Sequence, residues 1–395
     1  MTLETSISDI SKDASSMSVH PATYVKEIDA LRAFAAFAVI LQHCSLLPFG
    51  WMGVWLFFVI SGFAITSSLS NSILKATISS RPVLNFFLRR SIRIWPVYFL
   101  YLALCAPFLI TLGDTRVFSN YLYLGTFVFN LRMIGEQAWS AFPVDGILGH
   151  LWTISVEEQF YVLFPFLFVF LRPVRFKQVL LALVVFGPLI RYLVSLLLSS
   201  LELTDGHRAF SIYALSFTHF DAFAMGALIA LNRNFFERNL TVARQIFGLG
   251  LVVAAIYCAV YVALNFANGA RGTDLFRNVI SGIMWGQGRE VFVYSAVTIT
   301  ASGLITLILA REKTMLCICN IPYLQHLGRI SYGIYLYHAL VLFLVSQLLA
   351  TLGFGDSILE NILRFLIVAV LTVCVAQISF KYFEKPILKL RKHFP

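Results

Sequence analysis

The 395-residue sequence is 59% hydrophobic and only 13% charged, and its mean hydropathy is +0.80. A soluble domain carries about 25% charged residues, and a single hydrophobic core stops growing beyond about 250–300 residues. One core therefore cannot bury this much apolar surface, so the composition excludes a soluble protein and indicates a membrane protein.

The net charge of +10 would also suit a nucleic-acid-binding protein. However, the basic residues occur in short clusters between apolar runs, as at Arg89, Arg90 and Arg93, and membrane proteins mark their cytoplasmic side in this way. The sequence contains no soluble basic domain that would bind nucleic acid. We therefore expect membrane lipids as its surroundings and no nucleic-acid partner.

The chain begins with a polar segment. Its first 28 residues are rich in serine and lack the apolar stretch and cleavage site of a signal peptide. We predict that residues 1–28 form a disordered tail and that the first spanning helix directs membrane insertion.

Continuous apolar runs of about 20 residues, the length that a spanning helix needs, follow this tail. They lack the alternation of barrel strands. We predict an all-α membrane protein of about ten transmembrane helices, at about 32–49, 53–70, 94–112, 152–171, 178–200, 212–231, 245–266, 291–310, 330–350 and 358–381. A weaker patch at 119–134, interrupted by Asn130 and Arg132, is predicted to be interfacial or re-entrant.

The distribution of the 30 lysines and arginines predicts the orientation. With ten spans and both termini cytoplasmic, most of them lie on the cytoplasmic side, as membrane proteins prefer. An eleventh span at 119–134 would turn the basic clusters at 172–177 and 381–392 outward. The predicted organisation is thus a membrane domain at 29–388 and a short basic cytoplasmic tail at 389–395.

The first span contains Arg32 near its cytoplasmic end and His43 eleven residues later. Eleven residues are about three helical turns, so the two side chains share one face about 16 Å apart. Arg32 would hold an anionic group, and His43 would transfer a proton to or from a hydroxyl in the outer part of the membrane. The alternative is a snorkelling arginine and a histidine bonded to another helix.

The next two spans add a small-residue site and a basic cluster. Ser61 and Gly62 let another backbone or a thin ligand approach the second helix closely. Arg89, Arg90 and Arg93 follow at the cytoplasmic mouth, at a spacing that suits phosphate groups. Plain topology or a contact with anionic lipid would explain the same arginines.

The fourth span opens with HLWTISVEEQFYVLFPF and places Glu157 about one turn inside the outer end. A carboxylate at that depth would orient His43 and stabilise its imidazolium form. Further on, His219 and Asp221 lie in the sixth span and His338 in the ninth. Alone, His338 is expected to be a helix-packing residue.

Together and in this order, the motifs resemble the acyltransferase-3 family of membrane-bound acyltransferases over residues 25 to 388. The matching pieces are Arg32-x10-His43, FFVISGF, RRSIR, WTISVEEQFY, FDAFAMG, SYGIYLYH and FEKP. By position, the functional motifs of the family correspond to Arg32, His43, Arg89, Arg93 and Glu157, with Ser61 and Gly62 in the adjoining one.

The resemblance implies ten spans, a cytoplasmic acyl-coenzyme A donor and a sugar acceptor on the outer side. Many relatives have an acidic residue where this chain has Trp55, and we expect this difference to alter acceptor choice. Many also carry a C-terminal esterase-like domain. None is expected here, so His43 would complete the transfer or pass the acyl group to a partner.

The sequence thus predicts an integral-membrane O-acetyltransferase of the bacterial inner membrane. Its acceptor would be a glycan or glycolipid of the cell surface or an exported glycan, and the sequence is compatible with a lipopolysaccharide, an exopolysaccharide, a lipo-oligosaccharide or a small antibiotic. His43 is the predicted base, or a transiently acylated residue, assisted by Glu157 and Arg32. The predicted acetyl-CoA site comprises Arg89, Arg90, Arg93, Ser61 and Gly62, and no metal is required. The alternatives are a transporter or flippase of a lipid-linked sugar with a proton relay, and a sensor or scaffold without chemistry.

Overall fold

The computed structural model describes residues 24–74, 82–113, 117–136, 145–280 and 286–394. Most of the predicted N-terminal tail, residues 1–23, lies outside these ranges. All regular elements in the described ranges are helical. The predicted all-α membrane fold is confirmed.

The first half of the chain forms seven α-helices before residue 201. They are α1 (Glu27–His43), α2 (Met52–Leu74), α3 (Pro82–Thr111), α4 (Val117–Gly125), α5 (Phe129–Gly135), α6 (Trp152–Phe170) and α7 (Pro173–Ser200). Two short 3-10 turns, Asp145–Ile147 and Gly149–Leu151, lead into α6.

The second half contains ten further α-helices. They are α8 (Asp205–Ala214), α9 (Phe220–Leu231), α10 (Arg233–Arg238), α11 (Leu240–Ala267), α12 (Arg289–Leu309), α13 (Lys313–Cys319), α14 (Pro322–Arg329), α15 (Ser331–Thr351), α16 (Ile358–Ser379) and α17 (Lys385–Leu388). A π-helical turn, Phe380–Glu384, joins the last two, and a 3-10 turn, Lys389–His393, follows α17.

Each of the ten predicted spans overlaps with helix, although α1 ends at His43, before the predicted end at residue 49. Among the described residues, eight helical segments are long and apolar enough to cross a membrane, and α8 with α9 would make a ninth. The tenth position is α1, which is only 17 residues long. The periphery is formed by α7 and α11, whose most apolar windows are only 17% buried, as expected for helices that face lipid.

The ambiguous patch at 119–134 forms the two short helices α4 and α5. Phe127, between them, has a φ of +55°, which breaks the helical path. The nine residues of α4 span only about 14 Å, less than half of the hydrocarbon core. Neither helix can cross the membrane alone, in agreement with an interfacial or re-entrant segment.

The predicted sixth span is broken. The bend between α8 and the helical segment Phe217–Leu231 is 76°. Side chains take up the peptide carbonyls that the break frees: Asn130 Nδ2 donates to Ala214 O at 3.0 Å, and His219 Nε2 bonds Tyr213 O at 2.9 Å. Backbone groups freed at membrane depth need such partners, so Asn130 and His219 have structural roles.

Helix α2 is the centre of the bundle and packs against α1, α3, α6, α9 and α12. It meets α9 at two glycines. A Cβ on Gly62 would lie 2.0 Å from Phe223 O, and one on Gly226 would lie 2.0 Å from Val59 O. The FFVISGF and FDAFAMG motifs therefore lock two helices together at close backbone distance.

Arg191, a charge inside the span formed by α7, is completely buried. Its Nη1 pairs with Asp221 Oδ2 at 2.8 Å and donates to Thr218 O at 2.7 Å, while Nε donates to Val291 O at 2.8 Å. A buried charge is tolerated when it is paired and hydrogen-bonded in this way.

Trp55 is also fully buried. Its ring stacks on Tyr294 with centroids 4.5 Å apart and meets the edge of His219 at 4.8 Å. Trp55 therefore packs the centre of the bundle and lines neither of the two cavities described below. The expectation that it alters acceptor choice through the site gains no support from this position.

Candidate functional site

One cavity, here named the arginine cavity, has a volume of about 250 Å³. It lies where α1, α2, α3, α6 and α15 converge. The residues of the prediction that line it are Arg32, Ser61, Arg89, Arg90, Arg93 and Glu157. These residues lie up to 125 positions apart in the sequence, and the fold brings them together around one cavity.

A fifth arginine of this cavity was missed by sequence reasoning. Arg391 lies on the turn Lys389–His393 and lines the arginine cavity. Arg89 Nη1 donates to Phe394 O at 2.8 Å, which holds this residue against α3. Among the residues that the structure describes, five guanidinium groups and one carboxylate, that of Glu157, line the space, which suits it to a polyanion.

Glu157 is bonded within the arginine cavity. Its Oε1 accepts from Ser61 Oγ at 2.7 Å, and Ser61 Oγ in turn accepts from Tyr161 OH at 3.3 Å. The guanidinium of Arg90 lies 5.1 Å from the centre of the Tyr161 ring, within range of a cation–π contact. Glu157 therefore links α6 to α2 within the arginine cavity.

A second cavity, here named the histidine cavity, has a volume of about 400 Å³. His43 and His150 line it, and His43 is exposed to it. Aromatic rings form much of the remaining wall: Trp51, Phe129, Trp152, Phe210, Tyr213 and Tyr335. Such a wall offers flat apolar faces with polar edges.

The two cavities share a thin partition. Val54 and Tyr335 line both of them. Tyr335 OH lies 2.7 Å from Thr153 Oγ1 and donates to His150 O at 3.0 Å. One aliphatic side chain and one tethered tyrosine therefore border both cavities.

His43 does not contact Glu157. Its Nδ1 lies 3.2 Å from His338 Nε2, and among the described residues it has no contact with a carboxylate. The predicted pairing of Glu157 with His43 is wrong because the two side chains lie in different cavities. His338 occupies the position beside His43 that was predicted for Glu157. A single histidine in an apolar helix does not indicate which side chain it will contact.

The prediction for Gly62 also needs correction. A Cβ added to Gly62 would point at the Phe223 carbonyl. Gly62 does not line the arginine cavity. Consecutive residues of a helix face different directions, so Ser61 reaches the cavity whereas Gly62 packs against α9. Arg32 and His43, which were predicted to share one face of a helix, lie on α1 and line the arginine cavity and the histidine cavity, respectively.

Comparisons with known proteins identify a family and several relatives. The acyltransferase domain family matches residues 25–381. The chain is 26% identical to peptidoglycan O-acetyltransferase OatA of Listeria monocytogenes over 376 residues, covering 93% of this chain and 56% of that protein. It is 25% identical to O-acetyltransferase OatA of Staphylococcus aureus over 374 residues, covering 93% and 57%.

The chain thus spans little more than half the length of these curated relatives. No solved structure matches it. The family match covers nearly the whole membrane domain, including the lining of the histidine cavity and four of the five arginines of the arginine cavity, with Arg391 outside it. The chain belongs to the acyltransferase-3 family of multi-pass membrane proteins.

Proposed function

We propose that this chain is an O-acetyltransferase of the bacterial plasma membrane. It takes an acetyl group from acetyl-coenzyme A at the arginine cavity and transfers it to a hydroxyl of a cell-envelope glycan in the histidine cavity. The observation that carries this proposal is the pair of cavities that meet at Val54 and Tyr335.

The donor side is supported by charge. Coenzyme A carries several phosphates, and arginine forks bind phosphate with two parallel hydrogen bonds. Its pantetheine arm is about 15–20 Å long, comparable with the three helical turns between Arg32 and His43. The arm can therefore carry the thioester past Val54 while the charged head stays outside the hydrocarbon.

The acceptor side is supported by shape and access. A sugar ring presents apolar C–H faces and polar edges, and aromatic walls such as Trp51 and Trp152 complement both. His43 is open to this space. The two relatives named above are O-acetyltransferases, one of them named for peptidoglycan, which favours a cell-envelope glycan as acceptor.

The chemistry follows from His43 as general base. His43 accepts the proton of the acceptor hydroxyl, and the hydroxyl oxygen bonds to the acetyl carbon. The carbon–sulfur bond then breaks, and the proton passes to the leaving thiolate, so that coenzyme A departs as the thiol. In this account Glu157 and Arg32 serve the donor side, and the residues require no metal or external energy source.

The test is an envelope analysis of cells that lack the gene and are complemented with variants. Wild-type protein should restore O-acetyl esters, measured by mass spectrometry of the purified glycans. His43→Ala should restore none at equal protein level in the membrane. The matched control is His326→Gln, because His326 bonds Gln377 on α16 and lines neither cavity. Normal acetylation with His43→Ala would refute the proposed base.

A further inference from the structure

We propose that His338 is the positioning residue of the reaction: it fixes His43 in the tautomer that carries its proton on Nδ1, so that Nε2 is the free base. This inference rests on the proposed function of His43. It is carried by a chain of hydrogen bonds that runs from the Tyr335 carbonyl through His338 to His43.

The first link fixes the proton of His338. Its Nδ1 is hydrogen-bonded to the main-chain oxygen of Tyr335, one turn earlier on α15. A peptide carbonyl only accepts hydrogen bonds. The proton therefore has to be on Nδ1 of His338.

The second link is that the His338 ring is neutral. His338 is completely buried, and among the residues that the structure describes no carboxylate is bonded to it. Burial of a second proton without a counter-charge would cost several kcal/mol. With one proton only, on Nδ1, His338 presents a lone pair at Nε2.

The third link transfers this constraint to His43. His338 Nε2 lies 3.2 Å from His43 Nδ1, and two lone pairs do not form a hydrogen bond. His43 Nδ1 must therefore donate, which leaves its Nε2 unprotonated. Within the described part of the chain this Nε2 has no hydrogen-bond partner, and the ring is exposed to the histidine cavity.

This arrangement also stabilises the positive charge that His43 carries after it has accepted the hydroxyl proton. When Nε2 takes the hydroxyl proton, the imidazolium donates from Nδ1 to a neutral acceptor, and charge-assisted hydrogen bonds are the stronger ones. His43 is the last residue of α1, where the helix dipole favours a positive charge. His338 keeps its own proton throughout, so the proton balance of the transfer is unchanged.

The groups around His43 and His338 pack against the two rings and do not compete for the hydrogen bond between them. His150 packs edge-on against His338 with ring centroids 4.9 Å apart, and its Nε2 is engaged by Leu336 O at 3.1 Å. The other titratable side chains that face this space are Tyr335 and Tyr213, neither of which is bonded to His43. His338 therefore supplies the orientation that was predicted for Glu157.

The test compares two replacements of His338. His338→Leu fills the space without an acceptor and should lower kcat by about 10- to 100-fold, the loss that follows removal of a group orienting a functional histidine. The KM for acetyl-coenzyme A should stay within about twofold, because a positioning residue acts on the chemical step. His338→Gln places an amide oxygen close to the former Nε2 and should recover most of kcat.

A spectroscopic readout separates orientation from folding. In protein labelled with nitrogen-15 histidine, the His43 signals, identified by their loss in His43→Ala, should show a protonated Nδ1 and an unprotonated Nε2. His338→Leu should shift them towards a mixture of tautomers, whereas the control His326→Gln should leave them unchanged.

The outcomes are distinct. If His43→Ala remains active, the proposed function fails. If His43→Ala is inactive but His338→Leu keeps full kcat, or if wild-type His43 carries its proton on Nε2, the positioning role is overturned while the function stands. If His338→Gln is no better than His338→Leu in kcat despite equal folding, the role of an acceptor at this position is also refuted.

Discussion

At the scale of single residues, the site depends on side chains that face two different spaces from the same helices. Arg32 and His43 share one face of α1 but line separate cavities. Ser61 and Gly62 are adjacent, yet one reaches the arginine cavity and the other packs against α9. Neighbours in sequence thus have different roles because a helix turns by about 100° per residue.

The sequence was informative where the helical period alone decides the outcome. The spacing of Arg32 and His43 predicted one shared helix face, and the cluster at Arg89–Arg93 predicted a group of neighbouring arginines; the structure shows that these residues line cavities. Pairing across helices was not predictable, because it depends on how α1, α6 and α15 are rotated against each other. The prediction for Glu157 therefore names the wrong partner. His338 is buried between helices, as expected for a packing residue, but its contact with His43 could not be read from the sequence.

Arg391 provides a prediction at this scale. Arg391→Gln should weaken binding of acetyl-coenzyme A about 10-fold, since a hydrogen bond to a charged group contributes about 1.5–3 kcal/mol. Isothermal titration calorimetry of the detergent-solubilised protein would measure the affinity for acetyl-coenzyme A. Lys392→Gln is the matched control, because Lys392 does not line the arginine cavity. An equal loss in both variants would mean that only the overall charge of the tail matters.

At the scale of helices, apolar length was a sufficient guide to position. All ten predicted spans overlap with helix, because the bilayer forces long apolar segments to satisfy their backbone internally. The break between α8 and α9 was not predictable from hydropathy, since 212–231 is apolar throughout. It depends on partners from elsewhere, such as Asn130.

The contact of α2 with α9 provides a prediction at this scale. Gly226→Ala places a methyl group 2.0 Å from Val59 O and should destabilise the fold by about 1–3 kcal/mol, as overpacking does. The matched control is Gly248→Ala on α11, where a Cβ meets nothing within 4 Å, so a gain of up to about 1 kcal/mol is expected. Thermal unfolding in detergent compares the two, and equal stability would argue against the close approach.

At the scale of the whole molecule, the proposed acetyl transfer requires the two cavities to open towards opposite sides of the membrane. The distribution of basic residues predicts that the arginine cavity faces the cytoplasm. The same prediction places Cys317, which is exposed on α13, inside, and Asn268, which is exposed after α11, outside.

Labelling of intact cells tests this orientation. In a variant whose only cysteine is Cys317, a membrane-impermeant maleimide should react only after the cells are opened. In a variant whose only cysteine is Asn268→Cys, it should react at once. Labelling of Cys317 from outside would reverse the orientation and remove the cytoplasmic donor.

The proposed function requires acetyl transfer between two separated compartments through one protein. Oriented proteoliposomes measure this transfer, with radiolabelled acetyl-coenzyme A supplied only on the side of the arginine cavity and a peptidoglycan oligosaccharide only on the side of His43. We expect labelled ester on the oligosaccharide with wild-type protein and none with His43→Ala. Label that forms only when donor and acceptor share one side, or that persists with His43→Ala, would contradict it.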